Sequence, residues 1–410
     1  MSSQLVAGQP LVEQVIASHL ESPAQVTPGQ IVAVVPDRIY VQDGNAPTIA
    51  ELYKKFGFSG ARSPSRVSFV FDHSVLVAQT DMADRMAEAH TFAVELGVDI
   101  QRRGAGISHV IAAEQGWFEP GSLVLGSDSH TCVGGAFGAL GLGMGASDIT
   151  HAMVSGSTWL RVPPTIVVEL TSQPHEAVAA RDVMLTILKE YGQAPFLYKS
   201  VEFAGDWAQA LGTDEAASLA SLGVELGAKC VFVARPDGAV PAGTAAGVER
   251  IKIDLSTMQP VVSAPHLPAN TGGLSEFAGL TVDYAFLGTC TSGRLDDIRE
   301  AARVMAGRQV HQDVNFVVTP GSRNIYLRAM DEGHIQTLLA AGVLVTPPGC
   351  GACVGTQGPL PARGDRVLST MNRNFKGRMG TPEAEIFLAS PRVVATAAVS
   401  GRFPSLEELL

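Results

Sequence analysis

Short apolar runs of strand length alternate with amphipathic helical segments, and this alternation constrains the fold more than any other feature. The runs at 67–71 and 122–126 end at the acidic residues Asp72 and Asp128. A segment with helical apolar spacing lies between them and ends at Gly97. Strands that alternate with helices favour α/β architecture, in which ligand sites gather at the carboxyl ends of the strands. The sequence therefore predicts an α/β fold with a site at such an edge.

The same pattern predicts three α/β domains, at residues 1–164, 165–275 and 276–410. The segment Ser256–Gly273, rich in proline, serine and asparagine, is the best candidate linker. Local expectations include a buried strand at 31–35, one helix at 214–229 and a strand at 283–288 that leads into Cys290.

Charge and composition exclude several classes of protein. The 410-residue chain carries a net charge of −11 and no basic run, which makes it a poor nucleic-acid binder. No apolar stretch approaches the length of a membrane span, and the N-terminus lacks the pattern of a signal peptide. An odd number of cysteines with one C-x-x-C pair favours metal or redox chemistry in a reducing compartment. We therefore expect a cytoplasmic protein with no nucleic-acid or membrane partner.

Three of the five cysteines form the strongest candidate metal site. Cys290 follows a predicted strand, and Cys350 and Cys353 lie in the glycine-rich loop TPPGCGACVG. Three thiolates are one fewer than an iron–sulfur cluster normally uses, which leaves one iron open for Lewis-acid chemistry. A zinc site of three cysteines and one histidine is an alternative, as are ordinary core cysteines. Cys132 and Cys230 lack this setting and are interpreted as structural.

Three histidines lie next to polar or acidic residues. His73 follows Asp72, His109 follows a serine, and His130 lies two residues after Asp128. A carboxylate orients an imidazole and raises its pKa, which gives a proton donor near neutral pH. Each histidine alone has a structural interpretation, but the three together with the loop cysteines favour a catalytic centre.

The glycine run at 134–147 contains the spacing Gly141-x-Gly143-x-x-Ala146. This is a weak dinucleotide-binding pattern, because the strand predicted at 122–126 ends well before it. Close packing of backbone is the preferred interpretation.

Five segments, in order over nearly the whole chain, resemble signature segments of the aconitase superfamily, above all those of the isopropylmalate dehydratase large subunits. They are GSDSHTCVGGAFGALGLGMGASD, FLGTCTSGRLDDIREAA, PPGCGACVG, MNRNFKGRMG and AEIFLASPRVVATAAVSG.

The resemblance implies a fold of three α/β/α domains around a central [4Fe–4S] cluster, without the mobile fourth (swivel) domain of relatives. It also implies a small swivel-domain subunit as partner in a heterodimer or larger assembly. The residues it assigns are the cluster ligands Cys290, Cys350 and Cys353; the pairs Asp72–His73, Asp128–His109 and Glu225–His130; and the substrate contacts Gln42, Ser129, Arg373 and Arg378.

The implied function is that of a large hydro-lyase subunit that isomerises a 2-hydroxy di- or tricarboxylic acid, with 3-isopropylmalate and leucine biosynthesis as the first expectation. Aconitase-, homoaconitase- and methylmalate-dehydratase-like activities are alternatives, and a non-catalytic RNA-binding relative is a further one. The chain departs from the family pattern at Gln42-Asp43, at Ser292 and at Ser221. The first departure is nearer to aconitase itself and bears on the choice of substrate.

Overall fold

The computed structural model describes residues 8–22, 24–236, 240, 241, 245 and 247–409. The strands in chain order are β1 (Ile31–Val34), β2 (Arg38–Gln42), β3 (Val67–Val70), β4 (Asp99–Gln101), β5 (Leu123–Gly126), β6 (Leu140–Gly143), β7 (Thr158–Arg161), β8 (Thr165–Thr171), β9 (Ser200–Ala204), β10 (Cys230–Val233), β11 (Glu249–Asp254), β12 (Val261–Ser263), β13 (Thr271–Gly273), β14 (Tyr284–Leu287), β15 (Asn315–Val318), β16 (Leu344–Val345), β17 (Arg366–Ser369) and β18 (Glu385–Leu388).

The α-helices are α1 (Leu11–Ser18), α2 (Ala46–Phe56), α3 (Thr80–Leu96), α4 (Ser108–Glu114), α5 (Ala146–Ser155), α6 (Ala180–Tyr191), α7 (Asp206–Ala210), α8 (Thr213–Leu222), α9 (Leu274–Phe277), α10 (Thr289–Ser292), α11 (Leu295–Met305), α12 (Arg323–Asp331), α13 (His334–Ala340) and α14 (Pro391–Ser400). Short 3₁₀ segments cover Pro64–Arg66, Ser129–Phe137, Gly223–Leu226, Gly351–Val354 and Glu407–Leu409.

Three larger sheets organise these elements. The first has the order β4-β3-β2-β5-β6 and the second the order β10-β9-β8-β11, and every pairing in both is parallel. The third has the order β13-β12-β18-β17-β14-β15-β16 and is parallel except where β12 pairs with β13 and β18. Because parallel strands need covered faces, their buried residues are apolar on both sides of each sheet.

The local structure differs from expectation in four places. The strand at 31–34 is only partly buried, because β1 pairs with β7 in a two-stranded antiparallel ribbon that buries Val34 but leaves Ile31 67% exposed. The helix expected over 214–229 ends at Leu222. A 3₁₀ turn, Gly223–Leu226, follows it. Glycine at 223 allows Val231 to pack closely there, since a Cβ would lie 2.2 Å from Val231 Cγ2.

The segment expected to be a linker, Ser256–Gly273, contains the strands β12 and β13, which belong to the third sheet. The third sheet therefore begins at Val261, before the boundary expected near residue 275. The division into three domains stays a prediction.

The glycine run is explained by close approaches of backbone. A Cβ at Gly135 would lie 1.5 Å from the Val231 carbonyl oxygen, and one at Gly141 would lie 2.0 Å from the Thr131 carbonyl oxygen. The expectation that no strand leads directly into this run was wrong, because the unpredicted strand β6 lies within it and is followed directly by α5. The glycines let the 3₁₀ segment Ser129–Phe137 lie against β6 and β10.

Cys132 and Cys230 are both buried in the core, as a structural role requires. Cys132 Sγ donates to the Ala220 carbonyl oxygen at 3.3 Å, and Cys230 lies among apolar side chains. Among the residues that the structure describes, no helix is long and apolar enough to cross a membrane.

Glu202 is a buried carboxyl group on β9 that is remote in sequence from the predicted site residues. Its Oε1 accepts a hydrogen bond from Leu11 N, at the start of α1, at 2.8 Å, and burial raises its pKa to about 7. The pKa of a glutamate in an unfolded chain is about 4.3. The folded chain binds this proton more tightly than the unfolded chain does. Protonation of Glu202 therefore contributes fully to the free energy of unfolding below the unfolded pKa, and this contribution is lost as the pH rises through about 7.

We therefore expect Glu202→Gln, which keeps an oxygen acceptor but cannot ionise, to flatten the pH dependence of stability. Between about pH 5 and about pH 8 the free energy of unfolding of the wild type should fall by up to about 3 kcal/mol relative to this variant. Denaturant titrations at several pH values measure this difference, with the exposed Glu51→Gln as control. Parallel pH profiles for the wild type and Glu202→Gln would contradict the prediction.

Candidate active site

The carboxyl ends of strands from the first and third sheets meet at one cavity of about 440 Å³. Strands β2, β3 and β5 lead into Gln42, His73 and Asp128, and β14 and β17 lead towards Cys290 and Arg373. Of the predicted site residues, the cavity is lined by Gln42, His73, Asp128, Ser129, His130, Arg373 and Arg378. Asp72, His109, Glu225 and the three cysteines lie buried behind this lining.

Asp72 holds His73 and joins the two sheets. His73 Nδ1 lies 2.7 Å from Asp72 Oδ1, and Asp72 Oδ2 accepts from Ser108 N at 2.7 Å. The Asp72 carbonyl oxygen accepts from Cys350 N at 2.9 Å, which connects this turn to the cysteine loop of the third sheet. Burial alone would raise the pKa of Asp72, but the charge of His73 outweighs burial and lowers it.

The surroundings of His73 favour its protonated form. Burial alone would lower the pKa of His73, but the neighbouring Cys350 and Asp72 outweigh burial and raise the pKa well above its usual value. Since Nδ1 is occupied by Asp72, Nε2 is the ring nitrogen left for other groups, 3.7 Å from Cys350 Sγ and 3.6 Å from Asp128 Oδ2.

Asp43 supports the same turn and was not assigned a role by the sequence analysis. Its two carboxyl oxygens accept from His73 N and Ser74 N, each at 2.9 Å. Burial and the nearby charge of Asp72 raise the pKa of Asp43 to about 6. The available signal was an acidic residue directly after a strand, the same signal that drew attention to Asp72.

Asp128 lies among all three predicted histidines. Its Oδ1 is 3.0 Å from His109 Nε2 and 3.4 Å from His130 Nδ1. Its Oδ2 lies 3.6 Å from His73 Nε2. Burial alone would raise the pKa of Asp128, but the hydrogen bonds and charges of His109 and His130 outweigh burial and lower the pKa well below its usual value. Asp128 therefore stays ionised at neutral pH.

Glu225 pairs with His130, and also with an arginine that the sequence analysis had assigned to substrate. Its Oε1 lies 3.2 Å from His130 Nε2 and accepts from Arg373 Nε at 2.8 Å. Among the described residues, no side chain accepts from the two terminal nitrogens of Arg373, which lines the cavity. Glu225 therefore orients this guanidinium and leaves its fork for another acceptor.

Tyr40 is a second residue of the site that sequence reasoning missed. Its hydroxyl lies 2.7 Å from His109 Nδ1 and donates to Thr131 Oγ1 at 2.8 Å. Tyr40 therefore contacts Nδ1 of the His109 ring while Asp128 contacts Nε2, so that both ring nitrogens are held. As a tyrosine within the apolar strand β2, it carried no signal that separated it from the core.

The other predicted contacts lie at the cavity wall. Gln42 Oε1 accepts from Gly44 N at 2.5 Å, and the exposed Ser129 places its Oγ 3.3 Å from His130 Nδ1. Arg378 Nη2 lies 3.7 Å from Cys353 Sγ, and the buried Arg378 Nε has no acceptor among the described residues.

The three cysteine sulfurs are buried, and each lies beside polar groups. Cys290 Sγ accepts from Asn372 Nδ2 at 3.2 Å and lies 3.7 Å from Ser221 Oγ. Burial raises the pKa of the Cys290 thiol to about 11 and that of Cys350 well above its usual value. Metal binding must therefore displace protons from these thiols.

The spacing of the sulfurs separates the two metal alternatives. Two thiolates on one zinc ion, at about 2.3 Å each, lie at most about 4.6 Å apart. Among the described residues, no three cysteine sulfurs lie within 4.8 Å of one another. Instead, Cys290 is grouped with His109 and His130, and Cys350 with Asp72 and His73. The three thiols therefore fit a larger group than a single ion.

Similarity to known proteins extends over almost the whole chain. The model of the aconitase family (aconitate hydratase) matches residues 13–240 and 274–401. The 3-isopropylmalate dehydratase large subunit 2 of Archaeoglobus fulgidus is 37% identical, covering 98% of this chain and 100% of that protein. The probable methanogen homoaconitase large subunit of Methanothermobacter thermautotrophicus is 36% identical over 92% of this chain and 93% of its own length.

The structure of Thermococcus kodakaraensis aconitase X superposes with a TM-score of 0.55 at 12% identity, and covers 83% of this chain and 84% of that chain. At this identity the similarity concerns the fold alone. The family match and the near full-length relatives agree with the order of the signature segments, and the chain belongs to the aconitase family.

Proposed function

We propose that this chain is the large, cluster-bearing subunit of a hydro-lyase that dehydrates and rehydrates a 2-hydroxy dicarboxylate, with 3-isopropylmalate as substrate. The observation that carries the proposal is the meeting of three thiols, three carboxylate–histidine pairs and two arginines at one cavity. The names of relatives at 34–37% identity support the same activity.

Cys290, Cys350 and Cys353 are the residues that would hold a [4Fe–4S] cluster. With three protein ligands, such a cluster supplies one open iron that acts as a Lewis acid on the substrate hydroxyl and a carboxylate. The buried amide of Asn372 donates to Cys290 Sγ, and the Ser221 hydroxyl lies 3.7 Å from the same sulfur, where it can donate to a sulfur that carries negative charge.

His73 is the proposed acid for the departing hydroxyl. Asp72 accepts at Nδ1, so the proton at Nε2 is the one available to the substrate. The same pairing keeps the ring protonated near neutral pH, as a general acid requires. His109 and His130 surround Asp128 and hold its negative charge in place.

Arg373 and Arg378 are the proposed carboxylate-binding residues. Glu225 holds Arg373 by Nε, so the two terminal nitrogens can donate in parallel to one substrate carboxylate. The buried, unpartnered Nε of Arg378 suits a second carboxylate. A substrate with two carboxylates would satisfy both guanidinium groups.

The base for the carbon-bound proton is proposed to come from a small swivel-domain subunit. Asp72, Asp128 and Glu225 already accept hydrogen bonds from histidine or arginine, which makes each of them a weak base. Relatives covered along 99–100% of their length are named large subunits, which supports a separate partner.

A homoaconitase-like activity on a longer tricarboxylate is the second candidate. The methanogen relative favours it, and Gln42, part of a departure from the isopropylmalate dehydratase pattern towards aconitase, lines the cavity. An RNA-binding role is disfavoured by the net charge of −11. A substrate panel separates the two enzymatic candidates.

We expect protein purified without oxygen to be brown and to carry iron and acid-labile sulfide, with one iron easily lost in air. Cys350→Ser should abolish the cluster because it removes one of three ligands. Cys230→Ser, the control, should retain it because that thiol is buried elsewhere in the core. Iron, sulfide and zinc analyses decide the outcome, and stoichiometric zinc without sulfide would refute the cluster.

Replacing Arg373 by lysine keeps the charge but removes the guanidinium fork. We expect Arg373→Lys to cost about 2–4 kcal/mol in transition-state binding, measured as a fall in kcat/KM. Arg363→Lys is the control, because that side chain is 84% exposed. An unchanged kcat/KM would show that Arg373 has only the structural contact with Glu225.

The isolated large chain, reconstituted with iron and sulfide, should not turn over. Activity should arise on mixing with the small subunit, because the missing base and the cover of the cavity come from that partner. Absorbance of the unsaturated product from isopropylmalate, homocitrate, citrate and methyl-substituted malates measures both activity and substrate choice. Robust turnover by the large chain alone would overturn the two-subunit proposal.

A further inference from the structure

Arg181 is a fully buried arginine that the proposed mechanism does not use. It lies in the first turn of α6 and is 1% exposed. Its terminal nitrogens donate to the carbonyl oxygens of Thr370 and Met371, to Thr291 Oγ1 at 2.7 Å and to Ser292 Oγ at 3.2 Å. None of these acceptors is a carboxylate. Burial lowers the pKa of Arg181 to about 10, although the nearby charges of Asp297 and Asp182 oppose the shift.

The acceptors belong to two loop segments that meet at Cys290. One is Thr289–Ser292, which contains Cys290 and forms the single helical turn α10, and the other is Thr370–Asn372, which leads to Arg373. The first begins at Thr289, whose φ of +79° is rare for a residue other than glycine. Such a strained turn persists only where surrounding contacts stabilise it. The Arg181 guanidinium stabilises this turn through its hydrogen bonds to Thr291 and Ser292.

The hydrogen-bond chain from Arg181 also sets the orientation of the Asn372 amide. Thr291 Oγ1 accepts from Arg181, so its single proton is free to be donated to Asn372 Oδ1. With the oxygen of the amide so occupied, Asn372 Nδ2 faces Cys290 Sγ at 3.2 Å. An apolar side chain at position 181 or 291 would remove this constraint.

The backbone of Arg181 is itself fixed on both sides. Ala180 N donates to Glu215 Oε2 at 2.6 Å. Asp182 accepts from Ala179 N at 2.8 Å and from Val261 N, on β12 of the third sheet, at 3.0 Å. The start of α6 therefore has a defined position relative to the loops that Arg181 reaches.

We propose that Arg181 is the positioning residue of the Cys290 ligand, which it holds against the Asn372 amide by joining the loops Thr289–Ser292 and Thr370–Asn372. This inference rests on the proposed function, in which Cys290 binds iron. Because Arg373 directly follows Asn372, the same contacts contribute to the position of a substrate-binding arginine.

The first test uses the chain without a cluster, so that it does not depend on the cofactor. Alkylation of each cysteine by iodoacetamide is followed by mass spectrometry in the wild type, Arg181→Met and Thr291→Val. We expect Cys290 to be modified at least about fivefold faster in both variants, because the loop opens locally. Cys132 and Cys230, buried in the same chain, should keep their wild-type rates.

Two further variants separate positioning from general stability. Arg181→Lys, which retains charge and some donors, should give an intermediate rate at Cys290. Arg392→Met removes an arginine that pairs with Glu300 and is not bonded to either loop, so it should leave Cys290 unchanged. The double variant of Arg181→Met and Thr291→Val should be no faster than Arg181→Met alone, since both act through one chain of contacts.

The second test is spectroscopic. After reconstitution, Arg181→Met should shift the electron paramagnetic resonance signal of the cluster reduced by one electron with dithionite. The variant should also lose iron faster than the wild type. If the wild type takes up no cluster, the proposed function fails while the alkylation result still decides the role of Arg181. Unchanged modification of Cys290, or an equal rise at all five cysteines, would overturn the positioning role.

Discussion

The compensation of buried carboxylates is the constraint on which the rest of the site depends. Asp72, Asp128 and Glu225 are largely removed from solvent, and an unpaired charge in such a place would cost several kcal/mol. Asp72 pairs with the adjacent His73, and Asp128 pairs with His109. Glu225 pairs with His130 and also accepts a hydrogen bond from Arg373. Glu225, in the turn after α8, thereby links His130 beside the first sheet to Arg373 beside the third, and the pairs define which ring nitrogens remain available for chemistry.

The second sheet contributes to the site without lining much of the cavity. Its helix α8 leads into the turn that carries Glu225, and Ser221 on that helix lies beside Cys290. Its helix α6 carries Arg181, which reaches the loops on both sides of the same thiol. Cys290 of the third sheet is thus supported from behind by polar groups of the second. This arrangement brings residues of three sheets together at the proposed active site.

Only some of the site could be recognised along the chain. An acidic residue directly after an apolar strand indicated Asp72 and Asp128, and a glycine-rich loop indicated Cys350 and Cys353, because these signals are local. The pairing of Glu225 with His130 came from the family resemblance, since 95 residues separate the two. Asp43 carried the same signal as Asp72, an acidic residue directly after an apolar strand, but was not assigned a role. Tyr40 and Arg181 gave no distinct signal, because a tyrosine in a strand or an arginine in a helix has many ordinary roles.

The sequence by itself determined the α/β class, the strands that lead into Asp72, Asp128 and Cys290, and the set of thiols and histidines that meet near strand ends. It could do so because periodicity, turn residues and spacing act over a few residues. Tertiary structure alone decided that β1 lies exposed, that the expected linker joins the third sheet, and that Asp128 lies among three histidines. These outcomes depend on which distant segments share a desolvated space, and burial and charge compensation there are properties of the whole fold.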